Sequence, residues 1–185
     1  MTASSRDTVD RLTNHVVTLL TPQQAAARRD ALIDLLVDTV ADGASVNFIW
    51  PMTRMKAAAW WDSALASQAR GERLIFVAEA GGLVDGTVQL IPAPQENQPH
   101  RADLAKMLVH RRARRQGLGT ALLQAAEAEA RRLGHTLLTL DTETGSAGDQ
   151  LYAKSGWTKF GEVPGFALRA NGKADAAASF FYKRL

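Results

Sequence analysis

The chain has 185 residues, a length that suits one domain of roughly 100–200 residues whose core needs no covalent staples. It contains no cysteine, which excludes disulfides, thiolate metal sites and a cysteine nucleophile, and its four histidines (His15, His100, His110, His135) are scattered with no HExxH pair, so no metal is expected. The net charge is only +3, and neither a secretory leader nor a run near the ~20 apolar residues of a membrane span is visible, so the chain reads as soluble and cytoplasmic, with no membrane partner.

Residues 1–14 are polar and read as a flexible leader before a single domain over 15–185. HVVTLL, His15 to Leu20, has the character of a short strand. Thr21 then offers an N-cap and Pro22 a first helical position, and Leu32, Leu36 and Val40 recur at helical spacing until Gly43. A second helix is expected from Thr53 to near Gly71. Between the two, GASVNFIWPM carries Phe48, Ile49 and Trp50, too apolar for an ordinary loop; these side chains either tuck under the domain or face a substrate. RLIFVAE (Arg73 to Glu79) and LVDGTVQLI (Leu83 to Ile91) are rich in β-formers and joined by Ala80-Gly81-Gly82, a hairpin signal, and the proline-rich PAPQENQPH that follows is a loop.

ADLAKMLV then reads as a strand and GLGTALLQAAEAEARRL as a helix, with Leu118, Leu122 and Ala125 on its apolar stripe, Glu127 and Arg131 paired on the outside, and Gly134 at its C-terminal cap. HTLLTL is a further strand, Ala147 to Ser155 a short helix capped by Ser146 with Asp149 three residues on, and two strands close the chain near Trp157 to Val163 and Ser179 to Leu185. Hairpin strands followed by a strand, helix, strand unit give a mixed α/β or α+β sheet.

RRARRQGLGTALL, Arg111 to Leu123, carries the chemistry. Four of the 22 basic residues, Arg111, Arg112, Arg114 and Arg115, fall here, and the remainder nearly balance the 19 acidic residues. A nucleic-acid face spreads its charge over ~6–10 phosphates, whereas charge concentrated at one point suits a small polyanion. A helix N-terminus leaves about four N–H groups open, and Gly117 and Gly119 let an anion approach the backbone. The macrodipole contributes at most ~2 kcal/mol, while each hydrogen bond to a charged group contributes ~1.5–3 kcal/mol, so converging amides dominate. Three readings compete: a solvated basic turn, a dinucleotide site with Asp141 as the distal acid, and a coenzyme A pyrophosphate site. The dinucleotide reading is weakened by Leu122 at the third glycine position and by the long arginine-rich approach from Val109.

VHRRARRQGLGTALL, with Arg114-Arg115-Gln116-Gly117-Leu118-Gly119 at its centre, resembles the pyrophosphate loop of the GCN5-related N-acetyltransferases, and the order of elements resembles that superfamily from about Val16 to Leu185. GASV (Gly43 to Val46), LDTETGS (Leu140 to Ser146), GEVPG (Gly161 to Gly165) and the closing FFYKRL are similar to segments of its tabtoxin-resistance branch. The resemblance implies a central twisted, mostly antiparallel sheet of about seven strands, splayed between strands 4 and 5 and flanked by about four helices. It implies acetyl-CoA as cosubstrate, its pyrophosphate on Arg114, Arg115, Gln116, Gly117, Leu118, Gly119 and Thr120, its pantetheine arm on the backbone of Leu108 and Val109, and an oxyanion-binding N–H near Leu108. The sequence departs from the pattern at Arg111, where proline is common, and at Arg115, where glycine is common; arginine at 115 is expected to impose a non-glycine backbone conformation.

Acetyl transfer to an amine of pKa ~10.4, neutral in only about one molecule in a few thousand at pH 7, calls for a base and for an acid to protonate the departing thiolate. The short helix presents Tyr152 beside the wedge, and the resemblance makes it the acid. Asp141 and Asp103, at strand ends, are the amine-side carboxylates that the resemblance supports, acting directly or through water, with Glu143 in reserve; Phe48, Trp50 and PGFALRANGKADA (Pro164 to Ala176) are candidate walls of the acceptor pocket. Direct transfer is expected, since there is no cysteine and no serine in a nucleophile elbow. The acceptor is read as a primary amine of a small molecule, with a toxin or antibiotic-like amino-acid derivative in view, and the protein as a monomer or homodimer with no nucleic-acid partner. The rival from another class is a module that binds the coenzyme, or a nucleic-acid backbone, through the arginines without catalysis.

Overall fold

The order of hydrogen-bonded neighbours fixes where a ligand can enter. The computed structural model describes residues 15–185, so the leader expected over 1–14 lies outside them. One sheet runs in the order β1-β2-β3-β4-β5-β7-β6, from β1 (Val16–Leu19), β2 (Leu74–Ala80), β3 (Leu83–Pro92), β4 (Arg101–Val109), β5 (Leu137–Glu143), β6 (Thr158–Leu168) and β7 (Asp175–Arg184). All neighbours are antiparallel except β4 and β5. Helices α1 (Pro22–Ala27), α2 (Arg29–Ala41) and α3 (Arg54–Ala69) serve one face; α4 (Leu118–Arg132) and α5 (Ala147–Lys154) serve the other.

Both faces have their own apolar core, as a sheet covered on two sides requires. Leu122, Leu123, Ala126 and Ala130 of α4 pack on Phe76, Val88, Leu104 and Leu138. Leu32, Leu36 and Trp61 pack on Ile75, Val77 and Leu108. Each fully buried leucine contributes roughly 1.5–3 kcal/mol.

Three expectations are corrected. The first helix is two: at Arg28 (φ −102°, ψ 6°) the backbone N–H takes the carbonyl of Ala25, while the guanidinium donates to that of Gln24 at 3.2 Å and to Glu79 at 2.8 Å. This makes five helices among the described residues where about four were expected. Residues 164–176 form the far end of a long β6–β7 hairpin, where Ala167 pairs with Ala176 and Leu168 with Asp175 around the turn between the strands. Pro164 sits there on the outer strand, at a break in register, where its missing N–H is tolerated.

Glu127 does not face outward either. It is 5% exposed, accepts from the Trp157 indole at 2.9 Å and from the Lys183 ammonium at 2.7 and 2.8 Å, while Arg131 stands 3.8 Å away. Lys183 also donates to the Ser155 carbonyl at 2.8 Å, so one carboxylate joins α4, β7 and the end of α5. Removing one member of such a buried pair leaves the other without compensation. Glu127→Ala should therefore cost about 3–5 kcal/mol in unfolding free energy, read from the midpoint of a urea denaturation curve.

Candidate active site

The cleft begins where two parallel strands separate. β4 and β5 pair only at Arg101 with Leu137, Ala102 with Leu138 and Asp103 with Thr139. At this fork Arg101 donates to Asp103 at 2.5 Å and to the Thr139 hydroxyl at 2.8 Å, and Thr139 donates to Asp103. Asp103 thus fastens the closed end of the wedge and is not among the side chains that line the cleft beyond it. Beyond Asp103 the β5-facing edge of β4, including Leu108 and Val109, has no strand partner.

A β-bulge bends β4 farther away. Lys106 and Met107 together oppose Val88 of β3, and Lys106 has φ 51°, a left-handed conformation that is costly for a side chain with a Cβ. The bulge also reverses the facing of the strand: Ala102 and Leu104 join the α4 core, whereas Leu108 joins the α2–α3 core.

The other wall is set by α5. The Ser146 hydroxyl accepts from the Asp149 N–H at 3.2 Å, and the Asp149 carboxylate accepts from the Gly145 N–H at 2.8 Å, which fixes the start of the helix as expected. Gly148 lies so close to β5 that a Cβ there would stand 2.8 Å from the Thr142 hydroxyl oxygen. Four residues on, Tyr152 is 6% exposed, its ring 5.7 Å from Trp157 and 5.9 Å from Phe181, and its hydroxyl has no hydrogen-bond partner among the described residues. Burial, and next the charge of Asp141, push the Tyr152 phenol well above its ordinary value. It stays protonated through the neutral range.

Between these walls is a cavity of about 110 Å³. Asp141, Glu143 and Tyr152 line it together with Lys106, with Ser45 to Asn47 of the α2–α3 connection, and with Phe166 and Ala176 to Ala178 of the hairpin. Glu143 is paired with Arg169 at 2.7 Å. Phe48 and Trp50, expected as walls, do not line it. Phe48 packs edge-on against Trp60 at 5.8 Å, and Trp50 is bound through its backbone N–H to the Ala170 carbonyl at 2.7 Å.

The opening of α4 completes the site. After a turn of 3₁₀ helix (Arg111–Ala113), Gly117 takes φ 83° at the N-cap, and the first N–H to find a carbonyl in the helix is that of Ala121, on Gly117 at 3.0 Å. The amides of Leu118, Gly119 and Thr120 therefore point out of the helix end. Gly117 has no neighbour within 4 Å of where a Cβ would stand, which leaves an open cradle beside these donors. Arg115 corrects one expectation: at φ 61° it keeps the glycine-like backbone and accepts the strain.

The arginines are mostly engaged within the fold. Arg111 binds Asp38 at 2.6 Å, Arg112 binds Asp85 at 2.6 Å, and Arg114 binds Asp42 and, at 3.3 Å, the Val109 carbonyl. His15 adds a contact to Asp85 at 3.0 Å, and His110 is held below its ordinary value by burial and then by Arg112. Among the described residues Arg115 alone of the four has no acidic partner within 4.0 Å.

The sheet order, the parallel pair that opens into a wedge and the glycine-bearing helix start define an acyltransferase fold, and comparison with known proteins agrees. The chain belongs to the GNAT acetyltransferase family, whose sequence model matches residues 30–157. An N-acetyltransferase from the hisH–hisA intergenic region of Azospirillum brasilense is 33% identical over 112 residues, 60% of this chain and 65% of that protein; the match thus spans just under two thirds of the relative's length. Among solved structures, the ribosomal-protein-alanine N-acetyltransferase of Brucella melitensis superposes with a TM-score of 0.74 at 24% identity, over 92% of this chain and 99% of that one. The Salmonella typhimurium acetyltransferase yncA, solved with its cofactor acetyl-CoA, superposes with a TM-score of 0.70 at 20% identity, over 94% and 95% of the two chains. At these identities the two structures speak for the fold.

Lys106 is the cleft residue that sequence reasoning missed. Its signal was present: in ADLAKMLV the alternation Ala102, Leu104 points a lysine at the core, a conflict that only a bulge relieves. The ammonium donates to the Val46 carbonyl at 2.9 Å and stands 5.4 Å from the ring centres of both Phe48 and Trp60, contacts worth about 0.5–2 kcal/mol each. Burial lowers its pKa to about 8, with Asp141 acting in the opposite direction and Arg73 adding to the fall. Asp141→Asn, which removes the opposing charge, should move Lys106 below about 8, measured by ¹⁵N NMR titration of its Nζ.

Proposed function

We propose that the protein is an acetyl-CoA-dependent N-acetyltransferase that acylates a primary amine of a small molecule by direct transfer. The observation that carries this reading is the convergence of Tyr152, on α5, and Asp141, on β5, in a cavity within the wedge, together with the open amides of Leu118, Gly119 and Thr120. The cradle fits a pyrophosphate because it offers several N–H donors without a side chain in the way. In this reading Arg115 and Gln116 flank the diphosphate, Gly117 gives it room, Arg114 stays with Asp42 as a brace, and the free edge at Leu108 and Val109 holds the pantetheine arm.

Acetyl-CoA supplies an activated thioester; the chain supplies position and proton handling. Asp141 is exposed and has no hydrogen-bond or ion-pair partner among the described residues, so it is free to draw an ammonium into the cleft and to accept its proton, directly or through water. A backbone N–H near Leu108 meets the negative charge that develops on the acyl oxygen. Tyr152 gives its proton to the leaving sulfur. Its raised pKa makes the phenol a reluctant acid alone, so transfer is concerted with the growing charge on sulfur. Asp103, engaged at the fork, is assigned to holding β4 against β5.

A nucleic-acid role for the arginines is disfavoured by the pairing of three of them with Asp38, Asp42 and Asp85. The similarity of GASV, LDTETGS and GEVPG to the tabtoxin-resistance branch supports an amino-acid-like acceptor.

The test is kinetic. Tyr152→Phe should lower kcat about 100-fold while calorimetry finds the affinity for acetyl-CoA unchanged; an unchanged kcat removes the tyrosine from the mechanism. Asp141→Asn should flatten the pH dependence of kcat/KM, and Asp103→Asn should leave that profile in place while lowering thermal stability. The opposite pattern would exchange their roles.

A further inference from the structure

Two opposite charges face the acceptor side of the cleft without pairing. Of the three charged side chains that line it, Glu143 is neutralised by Arg169, which leaves Asp141 and Lys106. They sense each other electrostatically but do not come within ion-pair distance. An ammonium has three donors, and Lys106 has one hydrogen bond, to Val46. Two donors therefore remain on a half-buried cation, and the aromatic faces of Phe48 and Trp60 answer its charge without accepting a conventional hydrogen bond. The backbone here is strained at φ 51°, a conformation glycine would adopt freely, and glycine would forfeit the cation.

We propose that Lys106 is a specificity-determining residue: its ammonium takes the anionic group, a carboxylate or a phosphorus acid, of a bipolar acceptor whose amine is directed to Asp141. This rests on the acetyltransferase reading above. The hairpin residues that line the same cavity, Phe166 and Ala176 to Ala178, are apolar and suit the carbon body of such a molecule. An acceptor with an amine alone would satisfy Asp141 and leave Lys106 with its donors open. A bipolar one satisfies both ends at once.

The experiment measures kcat/KM on matched sets: proteinogenic amino acids, their primary amides and their decarboxylated amines, each rate referred to the free-amine concentration. The full chain should favour the carboxylated member of a set. Lys106→Met should lower that member's kcat/KM by about 10–100-fold and leave the amide and amine nearly unchanged, while Lys106→Arg keeps a preference for the acid. An equal fall across all three members, or a wild-type preference for the uncharged ones, overturns the proposal and leaves Lys106 a structural tie to the Val46 loop.

Should Lys106→Met not fold, the wild type alone decides. Its preference for the acid should fade as pH rises through about 8, where Lys106, buried, supported by Asp141 on β5, opposed by Arg73 on β2, and with Lys56 of α3 near the same Phe48 ring, loses its proton. A preference that does not change across that range overturns the proposal. Acetyl-CoA binding by calorimetry separates the two levels: binding without acetylation of any member rejects the bipolar acceptor, whereas no binding rejects the acetyltransferase reading itself.

Discussion

The structure depends on the parting of two parallel strands. β4 and β5 hold together for three residue pairs and then diverge, with Asp103, Arg101 and Thr139 knotted at the last of them. A strand edge left without a neighbour is normally a liability, because its amides and carbonyls need partners. Here that unsatisfied edge lies between a helix N-terminus with outward amides and a cavity containing a phenol and a carboxylate. The bulge at Lys106 and Met107 lies on the strand that parts from β5, and removing it would return a lysine to the α4 core. The same local irregularity brings a cation into the wedge.

The electrostatics of the loop differ from what its composition implies. Four arginines in five positions look like a free anion glove, yet three are balanced by aspartates from α2, its C-cap and β3, which share no sequence proximity with them. Those pairs are partly exposed and add little stability individually. Their geometric effect is larger: they hold the loop against α2 and leave the backbone amides, together with Arg115, to meet a ligand. Charge in this loop mostly serves to shape it.

Much of this was legible in the sequence because it is local. Helix caps at Thr21, Thr53 and Ser146, the hairpin at Ala80-Gly81-Gly82, and Gly117 at the start of α4 are short-range signals, and the resemblance of VHRRARRQGLGTALL to a family loop led to the family that the comparisons identify. What escaped depends on contacts distant in sequence. Glu127 read as an external helix residue because its partners, Trp157 and Lys183, lie 30 and 56 positions away. The pairing of Ala167 and Leu168 with Ala176 and Asp175 escaped because the proline and glycines around them mask strand character that only the β7 partner reveals. Asp103 reads as a candidate base from its place at a strand end, and its hydrogen bonds to Arg101 and Thr139 at the fork appear only with the strand register.

Gly148 has one more effect. With the Thr142 hydroxyl oxygen 2.8 Å from where a β-carbon on Gly148 would stand, α5 packs closely on β5. The Tyr152 phenol is carried by that helix and the Asp141 carboxylate by that strand, so the two groups proposed to handle protons sit on one packed unit. In the proposed reading, drift in the outer hairpin or in the connection around Val46 remodels the acceptor side of the cleft and leaves the separation of Tyr152 and Asp141 as it was.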